Sequence, residues 1–546
     1  MRNNRGNTER SDNHEAVLGW LTAAVLLLGI LLRLVRFGSV PAGFHVDELG
    51  SAYDSWCLAH YGTDRYGISY PVYFINFGGG QNALYDYLCM LCIRILGYHA
   101  VSIRLPALFA SALLGIFGTL SARLMWPKKA AAAGILFAAL YAFSPYCFMV
   151  SRFGLESHQM AGWSALFLYC LLRAAGKGSI RSYVLAGVTA GLVLYTYAIS
   201  YLVLPVFLIA ALVVLRRNCQ ISFRHVCGLA VPLALLAFPL ILEQYVNYRG
   251  LGDIRLGIFT VTQLQSYRAG EFTLTNIPEN LFLTLKSSLA YDWLDYNTSS
   301  RFWTFYPISL PFALVGFACV CAQLRRSPGR GRTACALILC WFASMLLVGS
   351  LLGGHGETGS NPNANKINGI FPAQMLFIVS GWICCAQMLG TARRRRLYAG
   401  AMAAVYLCFA CSFFCYYMGE YRPASSFFRE AFEPASLEEA MDYADREDSL
   451  QGKLRVIPGN YIYYLAAALP APSENGLDRG GNHGGESRYG NIVSDIDLEE
   501  GIERYGASAV YLLPAGELTP EQEAFFEAEG YSRKNFGRLV MYWWRQ

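Results

Sequence analysis

AVLGWLTAAVLLLGILLRLVR, residues 16–36, is followed closely by GFHVDE, residues 43–48. The first string is an unbroken apolar run of the length that crosses a bilayer as a helix. The second sets two adjacent carboxylates, Asp47 and Glu48, just beyond it. Carboxylates at a membrane surface are costly to hold unless something uses them. The side of the membrane on which the pair lies decides the chemistry open to it.

The rest of the chain repeats the first string's character. It has 546 residues, 54% hydrophobic and 15% charged, with mean hydropathy +0.32. Soluble globular chains are about 25% charged. Apolar runs recur through the first 418 positions, which predicts a polytopic α-helical membrane protein; a barrel would need short alternating segments. Eleven spans are expected, at 16–36, 100–124, 130–150, 158–174, 183–198, 200–215, 226–244, 306–323, 333–352, 370–390 and 397–418. Only Tyr195-Thr196-Tyr197 divides the fifth from the sixth. The apolar segment 81–97 holds Asp86 and Arg94 and is expected to lie at the interface or re-enter on the outer side.

Basic residues set the topology. They precede the first span (Arg2, Arg5, Arg10) and then fall in every second connection: Arg123, Lys128 and Lys129; Arg173, Lys177 and Arg181; Arg216, Arg217 and Arg224; Arg325, Arg326, Arg330 and Arg332; Arg393 to Arg396. By the positive-inside rule these connections are cytoplasmic and the others face out. Residues 1–15 form a cytoplasmic tail, and the first span is an uncleaved signal anchor. Its closing Arg33 and Arg36 lie at the outer end, where they snorkel to the interface or meet a lipid phosphate. The sixteen cysteines lie mostly in spans and form no disulfide framework or zinc spacing.

From 419 to 546 the pattern changes to a small extracytoplasmic α/β domain. Helices are expected at Leu437–Arg446 and Pro520–Glu529, and strands at Lys453–Ile457, Ala509–Leu513 and Arg538–Trp543, with a loop over 473–490. Tyr542-Trp543-Trp544 reads as a core strand or a membrane-facing patch.

In this layout the unusual polar groups gather outside. The first outer loop, 37–99, carries His45, Asp47, Glu48, Asp54, Asp64, Arg65 and Gly78-Gly79-Gly80-Gln81-Asn82. Other outer connections carry Arg152, Glu156 and His158; Tyr195 and Tyr197, as interfacial anchors or sugar-stacking platforms; and His355, Glu357, Asn361, Asn363, Asn365 and Lys366. Asn297-Thr298-Ser299 fits a glycosylation sequon. Acids at the outer rim rather than at the midplane suit a surface active site better than an ion-coupled carrier.

Four places carry a resemblance: Asp47-Glu48 after span one; Gly78–Leu88, with Arg104-Leu105-Pro106 entering span two; Ser144-Pro145, Ser151-Arg152 and Glu156; and Asn365-Lys366 with Pro372. In these the 16–418 region resembles the catalytic domain of the GT-C-fold lipid-carrier-dependent glycosyltransferases, the superfamily of protein O-mannosyltransferases and aminoarabinose transferases. The chain departs from the pattern in lacking a His-Pro-Pro-Leu helix, in Glu for Asp at 156 and in Lys for Arg at 366.

The resemblance implies a plasma-membrane enzyme that moves a sugar from a polyprenyl-phosphate donor to a hydroxyl of a protein, lipid or wall polymer on the outer face, with no nucleic-acid partner. Asp47 is the expected base of an inverting displacement, and Glu48 orients the acceptor or helps bind a cation. Lys366 and Arg152 are expected at the donor phosphate. Glu156 pairs with Arg152 or joins His45 and His355 as an acceptor or metal candidate, the metal being a divalent cation. The rival readings are a transporter or flippase of a lipid-linked glycan and a non-catalytic envelope assembly protein.

Overall fold

The computed structural model describes residues 2–76, 79–218, 221–264, 272–291, 294, 296–325, 329–353, 362–423, 428–429, 434–477, 479, 487–516 and 518–544. In chain order the helices begin with α1 (Arg2–Leu34), α2 (Val46–Tyr61), α3 (Ala83–Leu96), α4 (Ala100–Met125), α5 (Ala130–Phe143), α6 (Pro145–Met149) and α7 (Gln159–Lys177). They continue with α8 (Ile180–Leu194), α9 (Ser200–Asn218), α10 (Phe223–Arg249), α11 (Ile277–Leu289), α12 (Ser309–Gln323), α13 (Arg330–Ser350), α14 (Phe371–Met388) and α15 (Ala392–Gly419). The last are α16 (Pro434–Arg446), α17 (Ile462–Ala468), α18 (Leu498–Tyr505) and α19 (Pro520–Ala528). The strands are β1 (Phe44–His45), β2 (Tyr73–Asn76), β3 (Gly79–Asn82), β4 (Ile254–Leu256), β5 (Phe259–Val261), β6 (Phe428–Arg429), β7 (Leu454–Val456), β8 (Ser487–Tyr489), β9 (Ile492–Ser494), β10 (Ala509–Pro514), β11 (Tyr531–Phe536) and β12 (Leu539–Trp544).

The chain divides into two compact units. The first joins Met1–Val40, Arg104–Ile241 and Arg268–Pro423; the second joins Pro41–Ile103, Leu242–Tyr267 and Ala424–Gln546.

Each of the eleven expected spans carries a helix. Among the described residues, seven helical stretches are long and apolar enough to cross a membrane: Ala16–Leu34, Ala100–Met125, Ser200–Asn218, Phe223–Arg249, Arg330–Ser350, Asn368–Met388 and Ala392–Gly419. The expected span 130–150 is broken into α5 and α6 at Ser144-Pro145, where Ser144 is extended. A residue before proline is pushed out of the helical region, and proline suits a first helical position. Within the first unit α14 is largely buried, whereas α15 is largely exposed and turns its apolar side chains outward, as a lipid-facing helix does. Glycines set the closest approach. A Cβ on Gly316 of α12 would lie 1.7 Å from the Phe377 carbonyl oxygen of α14, and one on Gly381 of α14 would lie 2.0 Å from that of Phe312. Such small-residue contacts let membrane helices pack backbone to backbone.

The second unit is built on a six-stranded mixed sheet, ordered β11-β12-β10-β7-β9-β8, with β10, β7 and β9 parallel. Successive strand residues point to opposite faces. Val510 and Leu512 of β10, with Met541 and Trp543 of β12, pack against α2, α16 and α17. Ala509, Tyr511 and Leu513, with Val540 and Tyr542, pack against Phe526 of α19 and the partly buried Leu498 and Ile502 of α18. The aromatic end of the chain is therefore a core strand. The expected tail elements appear, with α17, α18, β9 and β11 in addition. The expected 473–490 loop is interrupted by β8, which pairs with β9. The sheet's partner α2 comes from the first loop: Val46, Leu49, Tyr53 and Cys57 are buried at helical spacing against the tail core, and β1 pairs with β6.

Candidate active site

The start of α2 places the two carboxylates differently. His45 is the N-cap residue, with extended backbone, and its Nδ1 accepts the Asp47 N–H at 3.1 Å. Glu48 Oε2 accepts the His45 N–H at 3.3 Å, which completes a capping box. Orphan donors at the helix start are thus satisfied reciprocally. His45 is 3% exposed and Glu48 is fully buried. The Asp47 side chain is 47% exposed, with Oδ2 3.7 Å from His45 Nδ1. The arrangement presents one open carboxylate on a locked helix start.

Behind it, the loop acids that sequence placed beside the pair hold the unit together. Arg65 makes a fork with Asp54, Nε to Oδ1 at 2.9 Å and Nη2 to Oδ2 at 2.6 Å, both residues almost fully buried. Asn475 Nδ2 donates to the Arg65 carbonyl at 2.6 Å, and the Tyr53 hydroxyl donates to that of Pro470 at 2.6 Å, tying this loop to the tail. Asp64 Oδ1 accepts the N–H groups of Tyr66 and Ile68 at 2.9 and 2.8 Å. Burial first, and then the charge of Asp54, push its carboxyl up to about 8. Gln81 Nε2 donates to Ser51 Oγ and to Asp86, which settles β3 and α3 on α2.

The first unit holds the other expected residues. Ser157 Oγ donates to Asn365 Oδ1 at 2.5 Å, which brings the 151–158 and 362–370 segments together and with them Glu156 and Lys366, both half-buried. Asn363 Oδ1 accepts the Lys366 N–H at 2.9 Å, and the Tyr146 hydroxyl donates to Asn368 Oδ1 at 2.6 Å. His158 Nε2 and Asn297 Oδ1 are 2.7 Å apart. Asn297 and Thr298 are fully buried, so this sequon is packing, with no surface amide to glycosylate.

The arginines are engaged with backbone. Arg152 is fully buried. It donates from Nε to Val40 O at 2.8 Å, from Nη1 to Arg33 O at 2.8 Å, and from Nη2 to Val35 O and Arg36 O at 2.9 and 2.8 Å. One of these carbonyls, that of Arg33, belongs to the last turn of α1, whose final groups have no helical partner, and the other three to the chain that follows it. Burial, with Arg104, Arg33 and Arg36 nearby, pushes the guanidinium down to about 10. Arg33 corrects its expected outward role: it is fully buried, donates to the carbonyls of Gly29 and Tyr141 at 2.6 Å, and lies 4.1 Å from the Tyr141 ring centre.

His355, with Glu357 and Asn361, lies outside the described residues. Among the described residues no three His, Cys, Asp or Glu converge as a metal site, so the divalent-cation expectation finds no ligand set there. The fifteen described cysteines are free thiols.

Two apolar hollows lie on the first unit, with Phe143 lining both. One, about 380 Å³, lies between α5, α14 and α15 and carries Lys129 and Arg395. The other, about 360 Å³, is walled by Leu28 and Leu32 of α1, by Phe148 and by α15 as far as Cys415.

Residues 82–242 match the sequence profile of the dolichyl-phosphate-mannose-protein mannosyltransferase family. None of the curated proteins matches at the level of sequence. Among solved structures the chain is similar to ArnT from Cupriavidus metallidurans bound to undecaprenyl phosphate, with TM-score 0.52 and 13% identity over 96% of this chain and 98% of that one. It is also similar to the oligosaccharyltransferase AglB from Archaeoglobus fulgidus in complex with an inhibitory peptide and a dolichol-phosphate, with TM-score 0.50 and 12% identity over 97% of this chain and 74% of that one. The chain thus has the GT-C fold of a helical membrane protein, and its family likeness is to the dolichyl-phosphate-mannose-protein mannosyltransferases.

Proposed function

We propose that the chain is a membrane glycosyltransferase that transfers a sugar from a polyprenyl-phosphate donor to an acceptor hydroxyl on the extracytoplasmic face, with Asp47 as base. The observation that carries this reading is the half-open Asp47 carboxylate on a helix start locked by His45 and Glu48. The acceptor oxygen attacks the anomeric carbon, the bond from that carbon to the phosphate oxygen breaks, and the acceptor proton passes to Asp47. The departing polyprenyl phosphate is already a stable anion, so no general acid is required, unlike glycoside hydrolysis. One-step displacement inverts the anomeric centre. Lys366 supports the phosphate as a point charge, and the apolar hollows along α5 and α15 take the isoprenoid chain. Glu48 acts as a positioning residue for its neighbour, and Arg152 holds the end of α1.

The test is a panel of polyprenyl-phosphate sugars with purified protein, read by mass spectrometry for free carrier phosphate. Asp47→Asn is expected to lower release at least about a hundredfold, the lower range for a general base, without changing the unfolding temperature. Turnover by that variant at the wild-type rate removes the base assignment. Movement of a lipid-linked glycan across vesicles, with no carrier phosphate released, selects the transporter reading instead.

A further inference from the structure

The connections between the spans of the first unit are one-sided in charge. Between Asp86 and Glu243 the sequence has a single acid, Glu156, and between Asp295 and Glu420 a single acid, Glu357. Both lie in outer connections of the span reading, so the basic connections at the other end have no acid of their own. α7 runs from Gln159 beside Glu156 to Lys177, a rise of about 27 Å at 1.5 Å per residue.

At that far end the first unit has a cavity of about 840 Å³ lined by Arg123, Arg173, Lys177 and Arg330, with Tyr169 and Tyr183. The four cations come from three separate connections. No carboxylate of the described residues lines the cavity or pairs with any of the four. Two side chains are held in place: Arg173 Nη1 donates to the Tyr169 hydroxyl at 2.8 Å, and the Tyr183 ring stacks on His225 at 4.8 Å. α13 begins at the cavity edge with Gly329 as its N-cap, which brings no capping side chain, so its positive end adds to the field. Scattered basic residues would serve the positive-inside rule equally well; these four surround one concave space.

We propose that this cavity binds a phosphate group, carried by an anionic membrane lipid. Basic pockets between membrane helices take lipid head groups in this way, each Lys or Arg adding to the attraction. Neither Asp47 nor Lys366 lines the cavity, and the site does not depend on the proposed reaction.

The experiment titrates the detergent-purified full chain with phosphatidylglycerol, phosphatidylcholine and inorganic phosphate in parallel, following bound adducts by native mass spectrometry. Phosphatidylglycerol is expected to bind, and the double variant Arg173→Gln/Arg330→Gln to bind it at least about tenfold more weakly. Arg393→Gln/Arg394→Gln, which removes two exposed cations outside the cavity, is expected to bind it as the wild type does. All four residues are exposed, and an unchanged unfolding temperature in phosphatidylcholine micelles checks the fold. Should Arg173→Gln/Arg330→Gln misfold, Lys177→Gln with Arg123→Gln serves in its place. Equal retention of phosphatidylglycerol by wild type and cavity variant overturns the proposal, as does equal binding of phosphatidylcholine. Inorganic phosphate binding as tightly as the lipid, and lost in the same variant, supports the phosphate site and assigns its ligand to a soluble source.

Discussion

Two carboxylates adjacent in sequence are divided by the helix that begins beneath them. Glu48 closes a backbone ring with His45, and Asp47 is left half-open. Gln keeps an acceptor oxygen for the His45 N–H, so Glu48→Gln is expected to retain both the unfolding temperature and transfer within a few-fold. Glu48→Ala loses the bond and is expected to cost about 1 kcal/mol or more. A hundredfold loss of transfer in Glu48→Gln, with the fold intact, would give Glu48 a chemical role. The same loop carries a pH effect. Asp64 has a folded pKa of about 8, above its ordinary 3.8, so the folded state holds the proton more firmly than the unfolded one. Its contribution is complete below about pH 4 and is lost as pH rises toward 8. Asp64→Asn keeps an oxygen for the Tyr66 and Ile68 N–H groups and has no proton to lose. It is therefore expected to flatten the fall in unfolding temperature between pH 5 and 8, and an unchanged slope would count against a neutral Asp64. The acidic pair was legible in sequence because such residues are rare beside a span. Which one opens was not, because that depends on the extended backbone at His45; the spacing His45-x-x-Glu48 was the available signal, with His where Ser or Thr is usual.

Helices of the first unit owe their packing to features that sequence shows only in outline. Its apolar runs located the helices, because length and hydropathy are local quantities. It did not show which glycines touch a neighbouring backbone. With Cβ positions 1.7 and 2.0 Å from carbonyl oxygens, Gly316→Ala and Gly381→Ala must each push α12 from α14. Both are expected to lose accumulation in the membrane or several degrees of unfolding temperature, whereas Gly400→Ala, where a Cβ meets nothing within 4 Å, is expected to be neutral. Arg152 shows the converse limit. In sequence it is a cation beside a membrane end, open to phosphate; in the fold it gathers one carbonyl from the last turn of α1 and three from the chain just after it. Lysine cannot reproduce a planar fork. Arg152→Lys and Arg152→Ala are therefore both expected to lower the unfolding temperature, Ala by about 3 kcal/mol or more in stability. A fall in donor affinity with no change in unfolding temperature would return Arg152 to the phosphate.

At the scale of the whole molecule, the division into units constrains the topology independently of charge. Sequence drew the tail from 419 onward as a domain by itself, because its alternating elements are local. The compact unit also takes in 41–103 and 242–267, and burial of Val46, Leu49, Tyr53 and Cys57 against the tail core is a non-local fact that no window of sequence contains. A folded soluble-type unit with a sheet buried on both faces cannot straddle hydrocarbon, since its loops would leave backbone groups unsatisfied there. Its three segments must therefore lie on one side, and the chain must cross an even number of times between 103 and 242 and again between 267 and 424. The span reading meets both conditions, with six segments in the first interval and four in the second. The basic connections then choose the side. Reporter fusions after residues 99, 305 and 418 are expected to register outside the cell. Disagreement between 99 and 418 would break the parity that the second unit demands. Agreement on the cytoplasmic side would keep the fold and remove Asp47 from the face on which the proposed donor and acceptor meet.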